Sequence, residues 1–121
     1  MKTILVVDDH AVVRKLVQVT FDMDPYRVLE TDNGSDALEM ARQHRPDVIL
    51  LDISLPGGPD GLEVCRRLKA DEATRNSIII MLSARTFKHE IEAGYAAGAD
   101  DYVVKPFSPD ALIAKVASVL D

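Results

Sequence analysis

The chain has 121 residues, of which 47% are hydrophobic and 28% charged, so its size and composition fit one globular domain, which we place over residues 1–121. The formal net charge of -6 argues against direct nucleic-acid binding, because phosphate recognition requires a basic surface. No apolar run approaches a membrane span, the single cysteine suits a reducing compartment, and the N-terminus leads directly into a strand. We therefore expect a cytoplasmic protein without a membrane partner.

Five apolar runs, separated by segments of helical periodicity, predict the strands of an alternating β-α chain. The longer runs are continuous and rich in β-branched residues, which is typical of strands buried on both faces of a parallel sheet. The runs cover residues 4–7, 28–29, 48–51, 78–82 and 102–104. Strands that alternate with helices favour an α/β fold: a single-domain (βα)5 doubly wound parallel sheet with the flavodoxin-like strand order 2-1-3-4-5.

The first predicted helix covers residues 11–21 and ends before the helix-breaking pair Asp24-Pro25. Its apolar face carries Val12, Leu16 and Val19 or Thr20.

The other four helices have recognisable starts or ends. The second begins after the turn at Asn33-Gly34, where Ser35 or Asp36 is expected to cap it. A loop rich in proline and glycine, at residues 56–61, precedes the third. The last two helices are predicted over residues 88–97 and from Ser108-Pro109 onward.

Four of the strands end at residues that can do chemistry. Asp8-Asp9 follows the first strand, Asp52 the third, Ser83 the fourth and Lys105 the fifth. The carboxyl ends of parallel strands meet at one edge of the sheet, where such folds bind their ligands. We therefore expect three carboxylates, a hydroxyl and an ammonium group to converge there.

Three clustered carboxylates require a cation, because they cannot all ionise comfortably without one. Oxygen donors without a nearby His or Cys favour a hard ion, and Mg²⁺ shares its coordination sphere with water and phosphate oxygens. The histidines, His10, His44 and His89, lack the spacing of metal ligands, and His10 is expected only to neighbour the site. A carboxylate beside Mg²⁺ and Lys105 is well placed to attack a phosphoryl group, with Ser83 bonding one phosphoryl oxygen.

Each of these residues also has a simpler interpretation. Asp8-Asp9 alone would be a turn or a helix cap, Asp52 alone a cap, and Lys105 alone a solvated side chain. Their shared position at the strand ends favours a functional acidic site, whereas topology alone leaves magnesium-phosphate chemistry open.

Over essentially its whole length, the chain resembles the receiver domain of bacterial two-component response regulators. The resemblance rests on Asp8-Asp9, Asp52, Leu55-Pro56 with Asp60-Gly61, Ser83-Ala84, and the stretch at residues 98–107, which includes Lys105-Pro106. In the family, the Asp-Gly pair usually comes one residue earlier. The segment at residues 56–59 therefore carries one extra residue, and the family pattern does not predict its path.

The resemblance implies a role for each site residue. Asp52 would accept a phosphoryl group from a sensor histidine kinase or a phosphotransfer protein. Asp9, Asp52 and the backbone carbonyl of Ser54 would bind Mg²⁺, with Asp8 acting through water. Lys105 would bind the phosphate, and the Lys105-Pro106 peptide bond would be cis.

The resemblance also implies a switch. Ser83, followed by Ala84, would move toward the phosphate and Tyr102 would turn inward, changing the face formed by helix four, strand five and helix five. Receivers with winged-helix output domains dimerise through this face, and Asp101 and Lys115 fall where such dimers use opposite charges. Ile91 and Ala111 replace another charged pair, so a homodimer and a monomer that binds another protein both remain open.

The leading hypothesis is a signalling domain that catalyses its own phosphorylation without turning over an external substrate. An aspartyl-phosphate phosphatase would need an acid two residues after the nucleophile, where Ser54 stands. A receiver-like interaction module that never takes phosphate is disfavoured by the complete residue set, and a flavin-binding protein by the lack of a phosphate loop after strand one. The sequence does not identify the kinase, the stimulus or the output.

Overall fold

The computed structural model describes residues 1–22, 26–84 and 88–120. Five strands and five helices alternate along the chain. The strands are β1 (Lys2–Val7), β2 (Tyr26–Thr31), β3 (Val48–Asp52), β4 (Ile78–Ser83) and β5 (Asp101–Val104). The helices are α1 (Ala11–Thr20), α2 (Gly34–His44), α3 (Gly61–Ala70), α4 (Lys88–Ala96) and α5 (Pro109–Leu120). No helix within the described ranges is both long and apolar enough to cross a bilayer.

The strands form one parallel sheet in the order β2-β1-β3-β4-β5, which confirms the predicted fold. Nearly every residue of β1, β3 and β4 is buried, because helices cover both faces of the sheet. Alternate side chains of these strands enter two separate apolar clusters. One contains Leu5, Ile49 and Met81, and the other contains Ile4, Leu50 and Leu82.

The core-facing side of α1 differs from the predicted one. Val17 and Thr20 are buried and Val13 packs against the core, whereas Val12 is 81% exposed and Val19 is 62% exposed. The prediction was wrong for Val12 and Val19 but is confirmed for Thr20, one of its two alternatives, and Leu16 is half-buried. Because α1 is apolar on more than one side, periodicity cannot select which side meets the sheet. The expected helix break at residues 24–25 lies outside the described residues.

The cap of α2 also corrects the prediction. Asn33, not Ser35 or Asp36, is the N-cap: its backbone is extended and its side-chain oxygen accepts a hydrogen bond from the Asp36 N–H at 2.8 Å. Ser35 and Asp36 already lie within the helix. The predicted start of α5 is confirmed, since the Ser108 hydroxyl accepts a hydrogen bond from the Ala111 N–H at 3.1 Å.

The loop between β3 and α3 runs directly beside the sheet edge. Gly57 has a φ of +69°, and the Gly58-Pro59 bond is cis, a feature that the sequence did not indicate. Asp60 caps α3 by accepting from the Glu63 N–H at 2.9 Å. Gly61 follows at a very close approach, because a Cβ there would lie 2.0 Å from the backbone oxygen of Asp52. The helix thus starts against the carbonyl of the strand-end aspartate.

Candidate functional site

The predicted strand-end residues meet at the carboxyl edge of the sheet. Asp8, Asp52 and Ser83 are all buried there, at the ends of β1, β3 and β4. Lys105, just after β5, reaches across them: its Nζ lies 2.6 Å from Oδ2 of Asp8 and 3.6 Å from Oδ2 of Asp52. A buried carboxylate is costly unless it is paired, so Lys105 compensates charge that the sheet edge has removed from water.

Asp52, at the end of β3, is 4% exposed and lies near the other carboxylates of the cluster. Burial raises its pKa, and the negative charges of Asp8 and Asp9 raise it further. The Ser54 N–H, which donates to Oδ1 of Asp52 at 3.1 Å, and the Lys105 ammonium act in the opposite direction. The balance leaves a carboxylate that would gain from an added cation.

The ring of His10 neighbours the site, as its place directly after the acidic pair predicts. Its Nδ1 is 3.2 Å from Oδ1 of Asp8 and 3.3 Å from Oδ1 of Asp9. One potential ligand atom from each of Asp8, Asp9, His10 and Asp52 lies within 4.8 Å of the others. The site therefore has a nitrogen donor beside its carboxylates, although the spacing of the histidines did not predict a ligand.

Arg14 is a second neighbour that sequence reasoning missed. Its guanidinium donates to the backbone oxygen of Asp8 at 2.8 Å and to the Glu30 carboxylate at 2.7 Å. The side chain therefore joins α1 to the end of β1 and to β2. Its position four residues after His10, one helical turn along α1, is the only sequence signal for this contact.

The switch candidates lie on the β4–β5 side of the site. Ser83 is buried and its carbonyl accepts from the Lys105 N–H at 2.8 Å, while Ala84 is exposed. Tyr102 is half-buried and packs against the core. The Lys105-Pro106 bond is cis, as the resemblance implies. Asp101 and Lys115 pair within the chain at 3.2 Å.

The site opens into a shallow groove of about 420 Å³ between the ends of β1 and β3. Asp9, Ser54, Pro56 and Asp60 contribute to its walls. Of residues 56–59, Pro56 thus lies in the wall of the groove, beside an intact strand-end cluster.

Sequence comparison identifies the family. Residues 4–117 match the response regulator receiver domain, so the chain belongs to that family. It is 45% identical over 119 residues to the phosphate regulon transcriptional regulatory protein PhoB of Pseudomonas aeruginosa, covering 98% of this chain and 52% of PhoB. The chain therefore spans about half the length of the curated relatives that it matches.

Solved structures give the same result. Chemotaxis response regulator CheY4 of Vibrio cholerae superposes with a TM-score of 0.91 at 31% identity, covering 98% of each chain. The BeF3-activated receiver domain of DrrB superposes with a TM-score of 0.89 at 35% identity, covering 99% of this chain and 97% of that one. Fold, site and relatives together define a receiver domain of phosphorylation-dependent two-component signalling.

Proposed function

We propose that Asp52 is the phosphoacceptor and that a phosphohistidine of a sensor histidine kinase or a phosphotransfer protein is the donor. The observation that carries this proposal is the Lys105 ammonium held over two buried carboxylates, 2.6 Å from Asp8 and 3.6 Å from Asp52. Asp8 is committed to Lys105, whereas Asp52 lies farther from it and directly precedes Ile53 and Ser54, which line the groove. Asp52 is therefore the carboxylate best placed to act as a nucleophile.

The cofactor that best fits the donor set is Mg²⁺. Asp9, Asp52 and the backbone carbonyl of Ser54 would bind it directly, with Asp8 acting through a water molecule. Carboxylate and carbonyl oxygens are the ligands that this ion prefers. Burial, and then the charges of Asp8 and Asp9, raise the pKa of Asp52, so an added cation would stabilise its ionised form. The ion, when bound, supplies charge that neutralises the phosphoryl oxygens.

The transfer itself requires little from the protein beyond placement and charge. A carboxylate oxygen of Asp52 forms a bond to phosphorus while the bond from phosphorus to the donor imidazole nitrogen breaks. The imidazole leaves with the electron pair and takes up a proton. Lys105 lies where it can neutralise the transferred group, because its Nζ already faces Oδ2 of Asp52.

Intact mass measurement tests the proposal directly. Incubation with Mg²⁺ and acetyl phosphate should add one phosphoryl group to the wild-type chain and none to Asp52→Asn. Asp60→Asn is the matched control, because Asp60 lies in the groove wall as an exposed helix cap, a position that Asn also suits. Labelling that persists in Asp52→Asn would overturn the assignment, and absence of wild-type labelling would favour a receiver that never takes phosphate.

We further propose that Ser83 and Tyr102 couple the phosphoryl group to the face formed by α4, β5 and α5. Ser83 would donate to a phosphoryl oxygen, and Tyr102 would turn further into the space beside α4. A Cβ built on Gly94 would lie 3.6 Å from the Tyr102 ring, so ring and helix are already in contact range. Beryllofluoride, which activates DrrB, should change amide exchange across residues 88–99, and unchanged exchange would contradict the switch.

The same face is the proposed contact surface for a partner or for a second copy of the chain. Asp101 and Lys115 form an ion pair within the chain, and both side chains are partly exposed. Each could therefore pair instead with the opposite charge of a second copy. Sedimentation with and without beryllofluoride separates a phosphorylation-dependent homodimer from a monomer that binds another protein.

This receiver would act as a signalling domain and not as an enzyme with an external substrate. Ser54 occupies the position where an aspartyl-phosphate phosphatase would need a second acid, so that alternative lacks its catalytic group. The net charge of -6 supports a domain that does not itself contact nucleic acid. The proposed kinase or phosphotransfer donor would fit a cytoplasmic location.

A further inference from the structure

His10 occupies a position that local rules do not explain. It is the N-cap of α1, where Ser, Thr, Asp or Asn is favoured, yet its side chain makes no capping hydrogen bond. Its ring instead lies against Asp8 and Asp9. A residue that breaks a local preference beside an acidic cluster is a candidate for a functional role.

The atoms around His10 are close enough to share one ion. Its Nδ1 is 3.2 Å and 3.3 Å from the nearest oxygens of Asp8 and Asp9, at the long end of hydrogen-bonding range. Ligand bonds of about 2.0 Å at tetrahedral angles separate neighbouring ligand atoms by about 3.3 Å. The two distances from Nδ1 therefore match the spacing of neighbouring ligands on one ion, and the potential ligand atoms of Asp8, Asp9, His10 and Asp52 all lie within 4.8 Å of one another.

Asp8 can serve such an ion without losing its lysine. Lys105 contacts Oδ2 of Asp8, whereas Oδ1 faces His10 and also accepts the His10 backbone N–H at 2.9 Å. An ion bound between Oδ1 of Asp8, Asp9 and Nδ1 would therefore leave the Lys105 contact in place. The His10 side chain is 68% exposed, so an ion can reach it directly from solvent.

We propose that His10 is a nitrogen ligand of this site and makes it bind late first-row divalent cations, such as Co²⁺ and Zn²⁺, in preference to Mg²⁺. Imidazole nitrogen suits these ions, whereas Mg²⁺ prefers oxygen, and the affinity of such a site rises along the first-row series to copper. The inference rests on the proposed metal site: a late ion would keep Asp9 as a ligand and bind Oδ1 of Asp8 directly, where Mg²⁺ would reach Asp8 through water. It adds His10 to that site as a ligand and names late first-row divalent cations as the ions that the site prefers.

Calorimetric titration with CoCl2 or MgCl2 alone, without a phosphoryl donor, tests this. His10→Asn retains a side-chain amide in hydrogen-bonding reach of the carboxylates but removes the imidazole ligand. It should weaken Co²⁺ binding at least about tenfold, the scale that even outer ligand partners contribute, and change Mg²⁺ binding by less than about twofold. His44→Asn is the control, because His44 is exposed in the last turn of α2, and it should alter neither affinity.

The outcomes distinguish this inference from the proposed function. If Mg²⁺ binds and the Co²⁺ affinity of His10→Asn equals that of the wild type, His10 is not a ligand and the inference is wrong. If neither ion binds the wild-type chain, the proposed metal site fails as well. Ring ¹⁵N spectra of the wild type provide a check independent of mutation: Zn²⁺ should shift Nδ1 of His10 and leave His44 unchanged.

Discussion

Lys105 and Asp8 are 97 residues apart in sequence, yet Nζ of Lys105 lies 2.6 Å from Oδ2 of Asp8. They follow β5 and β1, which are separated in the sheet by β3 and β4. The lysine therefore extends along the carboxyl edge and passes Asp52 on the way. This single contact links the first and last strands and places a positive charge at the proposed phosphoacceptor.

Replacing this lysine should destabilise the folded chain measurably. Lys105→Met leaves the fully buried Asp8 without its cation, and we expect the free energy of unfolding to fall by about 2–4 kcal/mol in urea titrations without divalent ions. Lys115→Met is the control, because its pair with Asp101 is partly solvated and should change stability by less than about 1 kcal/mol. Equal effects of the two substitutions would contradict a special role for the Lys105 contact.

The raised pKa of Asp52 predicts a pH dependence of stability. The folded state holds the Asp52 proton more strongly than the unfolded chain, whose pKa is near 3.8, so stability declines as pH rises from 3.8 through the folded pKa. Asp52→Asn removes this decline. In chelator-containing buffer, its stability advantage over the wild type should be smallest at about pH 3 and largest at about pH 7, as measured by urea unfolding.

Asp60→Asn provides the comparison for that experiment. Asp60 is an exposed helix cap, so its replacement should not reproduce the growing advantage at neutral pH. A variant Asp52→Asn that is less stable than the wild type at neutral pH without cations would show that burial does not disfavour the charged form of Asp52.

Gly61 should tolerate no side chain. A Cβ there would lie 2.0 Å from the Asp52 carbonyl oxygen and 2.6 Å from the Ile53 Cα, and backbone atoms cannot rotate away. Gly61→Ala should therefore lower the free energy of unfolding by roughly 2–3 kcal/mol or more, since the start of α3 has to move. Chemical unfolding of the variant measures this loss.

Gly94→Ala is the matched control with the opposite expected sign. Its Cβ would meet Met81 and Tyr102 at 3.6 Å, which is ordinary contact, and alanine is the better helix former. We expect a gain of up to about 1 kcal/mol. A loss at Gly94 as large as that at Gly61 would mean that local crowding does not separate the two sites.

The single thiol provides a probe of unfolding. Burial raises the pKa of Cys65 to about 11, so the native thiol should react very slowly with a disulfide reagent at neutral pH and rapidly in urea. The folded state retains this proton more strongly, so stability should decline by about 2–3 kcal/mol as pH rises from 9 to about 11. Cys65→Ala should lack that part of the decline, and fast labelling of the native protein would contradict the buried assignment.

Much of the fold follows from local pattern. Continuous apolar runs predict the three central strands, and each strand ends within one residue of the end of its run, because a layer covered by helices on both faces holds mainly apolar side chains. The start of α5 at Ser108-Pro109 is equally local, since a hydroxyl cap followed by proline needs no tertiary partner.

The N-cap of α2 and the buried side of α1 could not be predicted, because the sequence offers several equally suitable residues for each. Asn33, Ser35 and Asp36 are all residue types that cap helices, and the extended backbone at Asn33 makes it the N-cap of α2. Both sides of α1 are apolar, and packing on the sheet selects Val17 over Val12. Periodicity cannot resolve such choices, because they differ in burial and not in sequence chemistry.

The strand-end chemistry was readable from residue order alone: an acid pair, a single acid, a hydroxyl and a lysine at the ends of parallel strands. The distances between these groups, which decide which of them pair, are set only by the tertiary structure. Packing of the sheet brings Lys105 closer to Asp8 than to Asp52, and the turn into α1 places the His10 ring beside Asp8 and Asp9. Sequence specifies which groups reach the edge, whereas side-chain length, strand order and burial decide which of them pair and which remain available to react.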